Sequence, residues 1–345
     1  MKLTIRDIAK MAGVSPATVS KIINNYGGIS EKTTKQVMKI IEETGYQPTF
    51  SAKSLATKKS NLIGLIFSGK VNVEFNHPFF NEVLNAFKKT MGDLGYDILM
   101  FSNEQLSKTS DNYLARARHF HLDGCLIIAG EEIESAVYEL DQSEIPCVGI
   151  DLKLSGSKSS YVMTDNTKLS FQVVEHFYLN GVRDIGYIGG KEGSFIASIR
   201  KEGFMKAMKQ FGLPVYDEWV YYGDFTEQSG YDAMKYLLAN KPYPKAVFAA
   251  SDMMALGAIR AIKGEGLKVP EDIRVIGCDD IEACRYSDPK LSTVRQDKVK
   301  MGKLAGYILN DLINNEVKCK YIYVDSELVI RESCGVKILQ EKSHE

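Results

Sequence analysis

Between residues 61 and 278 the chain alternates short, unbroken apolar runs with longer segments of helical periodicity. The runs are NLIGLIF (61–67), YDILMF (96–101), DGCLIIA (123–129) and PCVGI (146–150), followed by YVMT (161–164), DIGYIGG (184–190), WVYYG (219–223), KAVFAA (245–250) and IRVIGC (273–278). Helix-like segments lie between them, near 79–93, 110–120 and 131–141 in the first set. Continuous apolar runs bounded by turns predict strands buried on both faces of parallel sheets. Two successive sets predict two doubly wound α/β lobes. Ligands in such folds sit beyond the carboxyl ends of the strands, so two facing lobes predict a ligand cleft between them.

The first sixty residues carry a different pattern. Ile5, Ile8, Ala9 and Ala12 fall at helical spacing behind Thr4, and Asp7 stands where a capping box places its acidic partner. Gly13 stops this helix, Ser15 caps a second one, and Pro16 takes its first position, where no amide donor is needed. Val14 and Val19 are spaced as a hydrophobic staple. Val19, Ile22 and Ile23 turn one face of the second helix inward and leave Ala17, Thr18, Lys21 and Asn24 outward or at the rim. A third helix runs from Ser30, through Val37, Ile40 and Ile41, to Gly45. Two helices joined by so short a turn, with a third in support, predict a helix-turn-helix unit whose second helix enters a DNA major groove. Residues 45–61, polar and broken by Pro48, read by composition as a linker.

Charge separates the two regions further. Residues 1–60 hold ten Lys/Arg and four Asp/Glu, while the rest of the chain holds 33 and 40. A basic head on an acidic body points to a polyanion partner for the head alone. No run of about 18 apolar residues occurs, so no membrane span is expected, and MKLTIRDIAK lacks the apolar core of a secretory signal. The expected setting is the cytoplasm, with the six cysteines (125, 147, 278, 284, 319, 334) reduced. Five scattered histidines give no metal spacing, and no cofactor is implied.

TIRDIAKMAGVSPATVSKIIN closely resembles the DNA-binding segment of the lactose-repressor (LacI) family of bacterial transcription regulators. The match runs through Ile8-Ala9, Ala12-Gly13-Val14-Ser15, Thr18-Val19-Ser20 and Asn24. The resemblance implies that Pro16, Ala17 and Lys21 meet bases, while Thr4, Ser15, Thr18, Ser20 and Asn24 contact the backbone or orient the helix. Lysine donates to guanine acceptors, and Ala17 offers either a methyl surface for a thymine methyl or a plain helix former. The resemblance also makes the linker a hinge, helical on operator DNA, with Leu55 beside Lys53 wedged into the minor groove. Thr49 departs from the family's usual asparagine after the proline.

The resemblance continues through HPFFNEV, LDGCLI, VMTDN, RKEGFMKAM, FAASDMMALGAIRAI, GLKVPEDIRVIGCDDIEACRY and LSTVRQD. It implies a helix-turn-helix domain (1–46), a hinge (47–60) and a two-lobed type I periplasmic-binding-protein-like α/β body (61–345). The expected lobes are about 61–161 plus 296–323 and about 162–291 plus 327–345, with crossings near 161–164, 291–296 and 323–327. Within the expected cleft, Arg200 is suited to vicinal hydroxyls or a carboxylate. Asp279 stands as an acceptor for ligand hydrogens, Phe225 as a ring for stacking, and Asp280 as a turn stabiliser. Phe79 and Phe80 are expected at the mouth, with Asp151 and Ser251 as further polar contacts.

EGSFIAS, before Arg200, lacks the arginine of the family's purine-binding members, and carboxylate, arginine and aromatic groups suit a neutral or phosphorylated sugar, so a carbohydrate effector is expected. A purine or a phosphorylated partner protein is the alternative. GGKEGS (189–194) fits neither phosphate-loop pattern, and no nucleophile–base order stands out, so catalysis is not expected. The residues after Arg331 lack leucine heptads, which favours a homodimer over a tetramer.

Overall fold

A computed structural model describes residues 3–47, 59–68, 77–101, 112–129, 133–317 and 321–336. It divides into two compact units, 1–60 and 61–345.

In the first unit, α1 (Ile5–Ala12), α2 (Pro16–Ile23) and α3 (Glu31–Thr44) form where the caps predict them. The Asp7 carboxylate accepts from the Thr4 N–H at 2.9 Å and from the Thr4 hydroxyl at 2.7 Å. Gly13 takes a left-handed φ of 65° at the end of α1, a conformation that glycine adopts without steric cost. Ser15 Oγ then accepts from the Thr18 N–H at 3.1 Å to open α2. The core is Ile8, Ala9, Ala12, Val19, Ile22 and Val37, joined by Tyr46, which the helical periodicity did not reveal. Gln36 on α3 donates to the Ala12 carbonyl at 3.2 Å, satisfying one of the acceptors that the end of α1 leaves open.

Among its described residues the second unit holds two six-stranded sheets. The first runs β11-β5-β4-β3-β1-β2 and is parallel throughout. Its strands are β1 (Leu62–Ser68), β2 (Asp97–Met100), β3 (Gly124–Ala129), β4 (Cys147–Ile150), β5 (Ser159–Thr164) and β11 (Tyr321–Val324). The second, β12-β10-β9-β8-β6-β7, is parallel except for the edge strand β12. Its strands are β6 (Ile185–Gly189), β7 (Val220–Tyr222), β8 (Ala246–Ala249), β9 (Arg274–Asp279), β10 (Ser292–Gln296) and β12 (Ser326–Val329).

Alternate residues of β3 feed opposite faces of the first sheet. Leu126 and Ile128 pack with Phe79, Val83 and Met301, from α4 (Pro78–Asp93) and α11 (Lys298–Ile313). Cys125 and Ile127 pack with Tyr113 and Val137, from α5 (Tyr113–His119) and α6 (Ser135–Asp141). In the second lobe, α7 (Asn166–Leu179), α8 (Phe195–Gln210), α9 (Glu227–Ala239) and α10 (Asp252–Gly264) contribute to a single larger core cluster.

The chain leaves the first sheet after Thr164, returns after Gln296, and passes again between Val324 and Ser326. Two expected limits move. Residues 162–164, placed in the second lobe by sequence, pair with β4 and β11 in the first. Residues 292–296, read as a connection, form a full strand beside β9. Both segments are short, and each is nearly or wholly buried within its sheet, so the sheets extend up to the crossings. Among the described residues no helix is long and apolar enough to cross a membrane.

Candidate nucleic-acid interface and ligand cleft

On α2, Pro16, Ala17 and Lys21 are exposed, whereas Thr18, Ser20 and Asn24 are half-buried. The half-buried residues are engaged in holding the helix. Thr18 Oγ1 lies 2.9 Å from Ser15 Oγ, and Asn24 Nδ2 donates to the Ser20 carbonyl at 2.8 Å. Thr4 is occupied by Asp7, whose carboxyl those hydrogen bonds hold below its usual range. Lysines on α3 pair along their own helix, Lys35 with Glu31 and Lys39 with Glu43. Lys21 has no such carboxylate partner among the described residues. Lys53 and Leu55, like Pro48 and Thr49, lie outside the described residues.

In the second unit, Arg200 on α8 is 3% exposed. Its Nε donates to Asn166 Oδ1 at 2.7 Å and its Nη1 to the Ala250 carbonyl. Asn166 in turn donates to the Thr164 carbonyl at 2.9 Å, which fixes the guanidinium to the first crossing. Burial alone would lower the Arg200 pKa, but Cys278, Asp279 and Asp151 outweigh it and raise it.

Asp279 ends β9 with a φ of 123°, and Asp280 follows at 52°. Gln296 Nε2 donates to Asp279 Oδ1 at 2.7 Å. The ammonium of Lys298, itself buried, donates to the Asp279 and Asp280 carbonyls at 2.6 and 2.9 Å and pairs with Glu82 of α4 at 3.2 Å. The Asp280 carboxylate is held by Arg295 at 2.8 Å and Arg331 at 2.5 Å, so it bridges two arginines and does more than steady a turn. Burial works to raise the Asp280 pKa, and the two guanidiniums overcome it and lower it.

Facing these residues from the first lobe are Asp151 and His77. Burial pushes the Asp151 carboxyl up to about 6, with Arg200 opposing and Asp279 adding to the shift. Burial lowers the His77 pKa, with Asp279 acting against it and Arg200 with it. Asp151 Oδ1, His77 Nδ1 and Gln296 Oε1 are buried without a hydrogen-bond partner. The structure therefore brings Asp151, Arg200 and Asp279 into one charge network spanning both lobes.

Phe225 sits at a φ of 68° with its ring laid over Gly190, where an added Cβ would lie 2.0 Å from Cζ. The glycine-rich loop GGKEGS thus provides the seat for an aromatic ring. Phe80 is half-buried, its ring 5.2 Å from that of His77. Phe79, expected beside it at the mouth, is 3% exposed and packs into the first-lobe core, because successive helical residues face different ways. Ser251 is also buried, and its Oγ caps α10 by accepting from the Met254 N–H at 3.2 Å.

Four residues of the site escaped the sequence reading: His77, Asp252, Gln296 and Lys298. Asp252 accepts from the Thr293 hydroxyl at 2.5 Å and the Ile281 N–H at 2.9 Å, and burial, aided by Asp279, pushes its carboxyl up to about 7. His77 and Gln296 lie inside quoted landmarks, HPFFNEV and LSTVRQD, but their chemistry depends on partners from the opposite lobe or a distant strand.

A capped helix-turn-helix head and a two-lobed body with a polar cleft define a class of ligand-responsive DNA-binding regulators. Residues 4–49 match the family described as bacterial regulatory proteins, lacI family, and residues 174–334 match a periplasmic binding protein-like domain. The chain belongs to the lacI family of bacterial regulatory proteins. It is 34% identical to the HTH-type transcriptional repressor PurR of Actinobacillus pleuropneumoniae serotype 3, over 96% of this chain and 98% of that protein. It is also 34% identical to the probable HTH-type transcriptional repressor ExuR of Bacillus subtilis, with the same coverage. Among solved structures it resembles a complex of the transcriptional regulator CelR with cellobiose (TM-score 0.72, 28% identity, 96% and 99% coverage). It likewise resembles the lac repressor dimer bound to operator and the anti-inducer ONPF (TM-score 0.82, 26% identity, 97% and 99% coverage).

Proposed function

We propose that this chain is a homodimeric, cytoplasmic transcriptional repressor whose operator affinity is set by a carbohydrate held between its two lobes. The observation that carries this reading is the network of buried Asp151, Arg200 and Asp279 with the half-buried His77, which spans the lobes and leaves polar atoms without partners. A ligand that satisfies those atoms favours the closed arrangement of the lobes. Phe225 supplies the face for a sugar ring, Phe80 borders the mouth, and Ser251 orders the start of α10 beside Arg200's carbonyl partner. The solved CelR complex contains a sugar, cellobiose, in agreement with this class.

At the head, Ser15, Thr18, Ser20, Asn24 and Thr4 hold and orient α2 against the DNA backbone. Pro16, Ala17 and Lys21 meet the bases. Lys53 and Leu55 act in the hinge, the leucine as a minor-groove wedge. Each subunit of the dimer reads one half of a pseudo-palindromic operator.

The test has two stages. Selection of bound sequences from random duplex DNA by the full chain is expected to yield a two-fold-symmetric site. A thermal-shift panel of sugars then identifies the ligand, whose effect on affinity for that site is measured. Failure to enrich any sequence would overturn the regulator reading.

A further inference from the structure

Two buried acceptors in the cleft have no donor. Gln296 commits its Nε2 to Asp279 Oδ1, which leaves its buried carbonyl Oε1 as an acceptor without a partner. Asp151 Oδ1 is likewise buried and unpartnered. On the donor side, Arg200 has already given Nε to Asn166 and one Nη1 hydrogen to the Ala250 carbonyl, which leaves the second Nη1 hydrogen and those of Nη2. Lys298 adds nothing for a ligand anion, because its ammonium is taken by the Asp279 and Asp280 carbonyls and by Glu82.

The charges point the same way. Two buried carboxyl groups, Asp151 and Asp279, lie by the buried guanidinium of Arg200, and a third, Asp252, stands behind Asp279. A hydroxyl or an ammonium donates hydrogen bonds to such a site, and a hydroxyl oxygen also accepts from Arg200. A phosphate dianion or carboxylate placed against the two orphan acceptors offers them no hydrogen and sets a further negative charge beside Asp151 and Asp279.

We propose that the effector is a neutral or amine-bearing sugar, and that the cleft rejects phosphorylated and carboxylate sugars. Vicinal hydroxyls donate to Asp151 Oδ1 and Gln296 Oε1, a ring or hydroxyl oxygen accepts from Arg200 Nη2, and the ring's C–H face lies on Phe225. The inference rests on reading this cleft as the effector site.

The test is calorimetric titration of the full chain with matched sugars. D-glucose, D-galactose, cellobiose and D-glucosamine form one set; D-glucuronate, D-galacturonate and glucose 6-phosphate form the other. The expected result is binding within the first set, with the anionic counterpart of any binder weaker by roughly ten-fold or more. Asp151→Asn, which removes a charge and keeps the shape, is expected to narrow that gap. An anionic sugar that binds as tightly as its neutral parent would overturn the proposal. Silence of both sets would overturn it together with the carbohydrate reading, while operator selection would still stand. Loss of operator selection is the separate failure that strikes the regulator reading itself.

Discussion

Asp279 and Asp280 are neighbours in sequence with opposite duties, and a few atoms decide which is which. Both adopt positive φ, a conformation that costs a non-glycine residue about 1–3 kcal/mol and persists only where the surroundings impose it. Here the Lys298 ammonium collects both carbonyls. The twist sends one carboxylate to the cleft and the other to Arg295 and Arg331. Asp280→Asn removes the charge that Arg331 and Arg295 share, although the partly exposed Arg295 keeps Glu327, and a stability loss of about 1.5–3 kcal/mol is expected in urea unfolding of the full chain. Asp280, whose pKa is lowered by folding, contributes stability at neutral pH that disappears as pH falls through the carboxylate range. Asp252 behaves in reverse. Its carboxyl is pushed up to about 7, so the folded protein binds more protons than the unfolded chain from the ordinary carboxylate range up to that pH, and stability falls as pH rises across the window. Asp252→Asn can still accept from Ile281 and donate to Thr293 Oγ1, so it is expected to fold and to flatten that slope, measured as melting temperature against pH.

At the scale of the element, α2 shows how capping and reading divide between residues. Ser15, Thr18, Ser20 and Asn24 are tied up in hydrogen bonds at the two ends of the helix, whereas the exposed Pro16, Ala17 and Lys21 have no such side-chain bond among the described residues. Lys21→Ala is therefore expected to leave the head folded and to cost about 1–3 kcal/mol at the base pair it faces, seen as relaxed preference in competition binding. The β6–α8 connection offers a comparable test in the body. Gly190→Ala drives a methyl into the Phe225 ring, and sugar binding is expected to weaken while the unfolding free energy drops by about 1–3 kcal/mol in urea titration. Elements of this kind were legible in the chain because their causes are local. Caps such as Ser15 and Ser30, the stop at Gly13 and the unbroken apolar runs act within a few residues. Legibility ended where a partner from far along the chain decides the outcome. Nothing near Lys298 signals that its amine is buried against Asp279, some nineteen positions earlier, and against Glu82. Phe79 and Phe80 are indistinguishable by type, and only the packing of α4 on the first sheet assigns one to the core and one to the mouth. Tyr46 entered the head's core for the same reason, lying beyond the helical period that marked its neighbours.

For the whole molecule, the two lobes communicate through three chain crossings and through Lys298, a first-lobe residue that reaches the Asp279–Asp280 turn of the second. Lys298→Met keeps α11 in place yet releases that turn, so sugar affinity is expected to fall by roughly ten-fold or more, while operator binding by the unliganded chain persists. Because ligand and operator bias one equilibrium, each must alter the affinity of the other by the same factor. The crossings also dictate how the protein is made. Met301, Ala305, Leu309 and Leu312 of α11 cover apolar residues of β1, β3 and β4, although more than a hundred residues separate them in the chain. A nascent chain whose second lobe has been made through α10 still presents the first lobe with one face covered by α4 alone and one edge strand missing. Translation must therefore pass α11 and β11 before the first lobe is fully covered. Messages cut short after residue 290 would yield insoluble protein, however well the second lobe's sheet had begun to form.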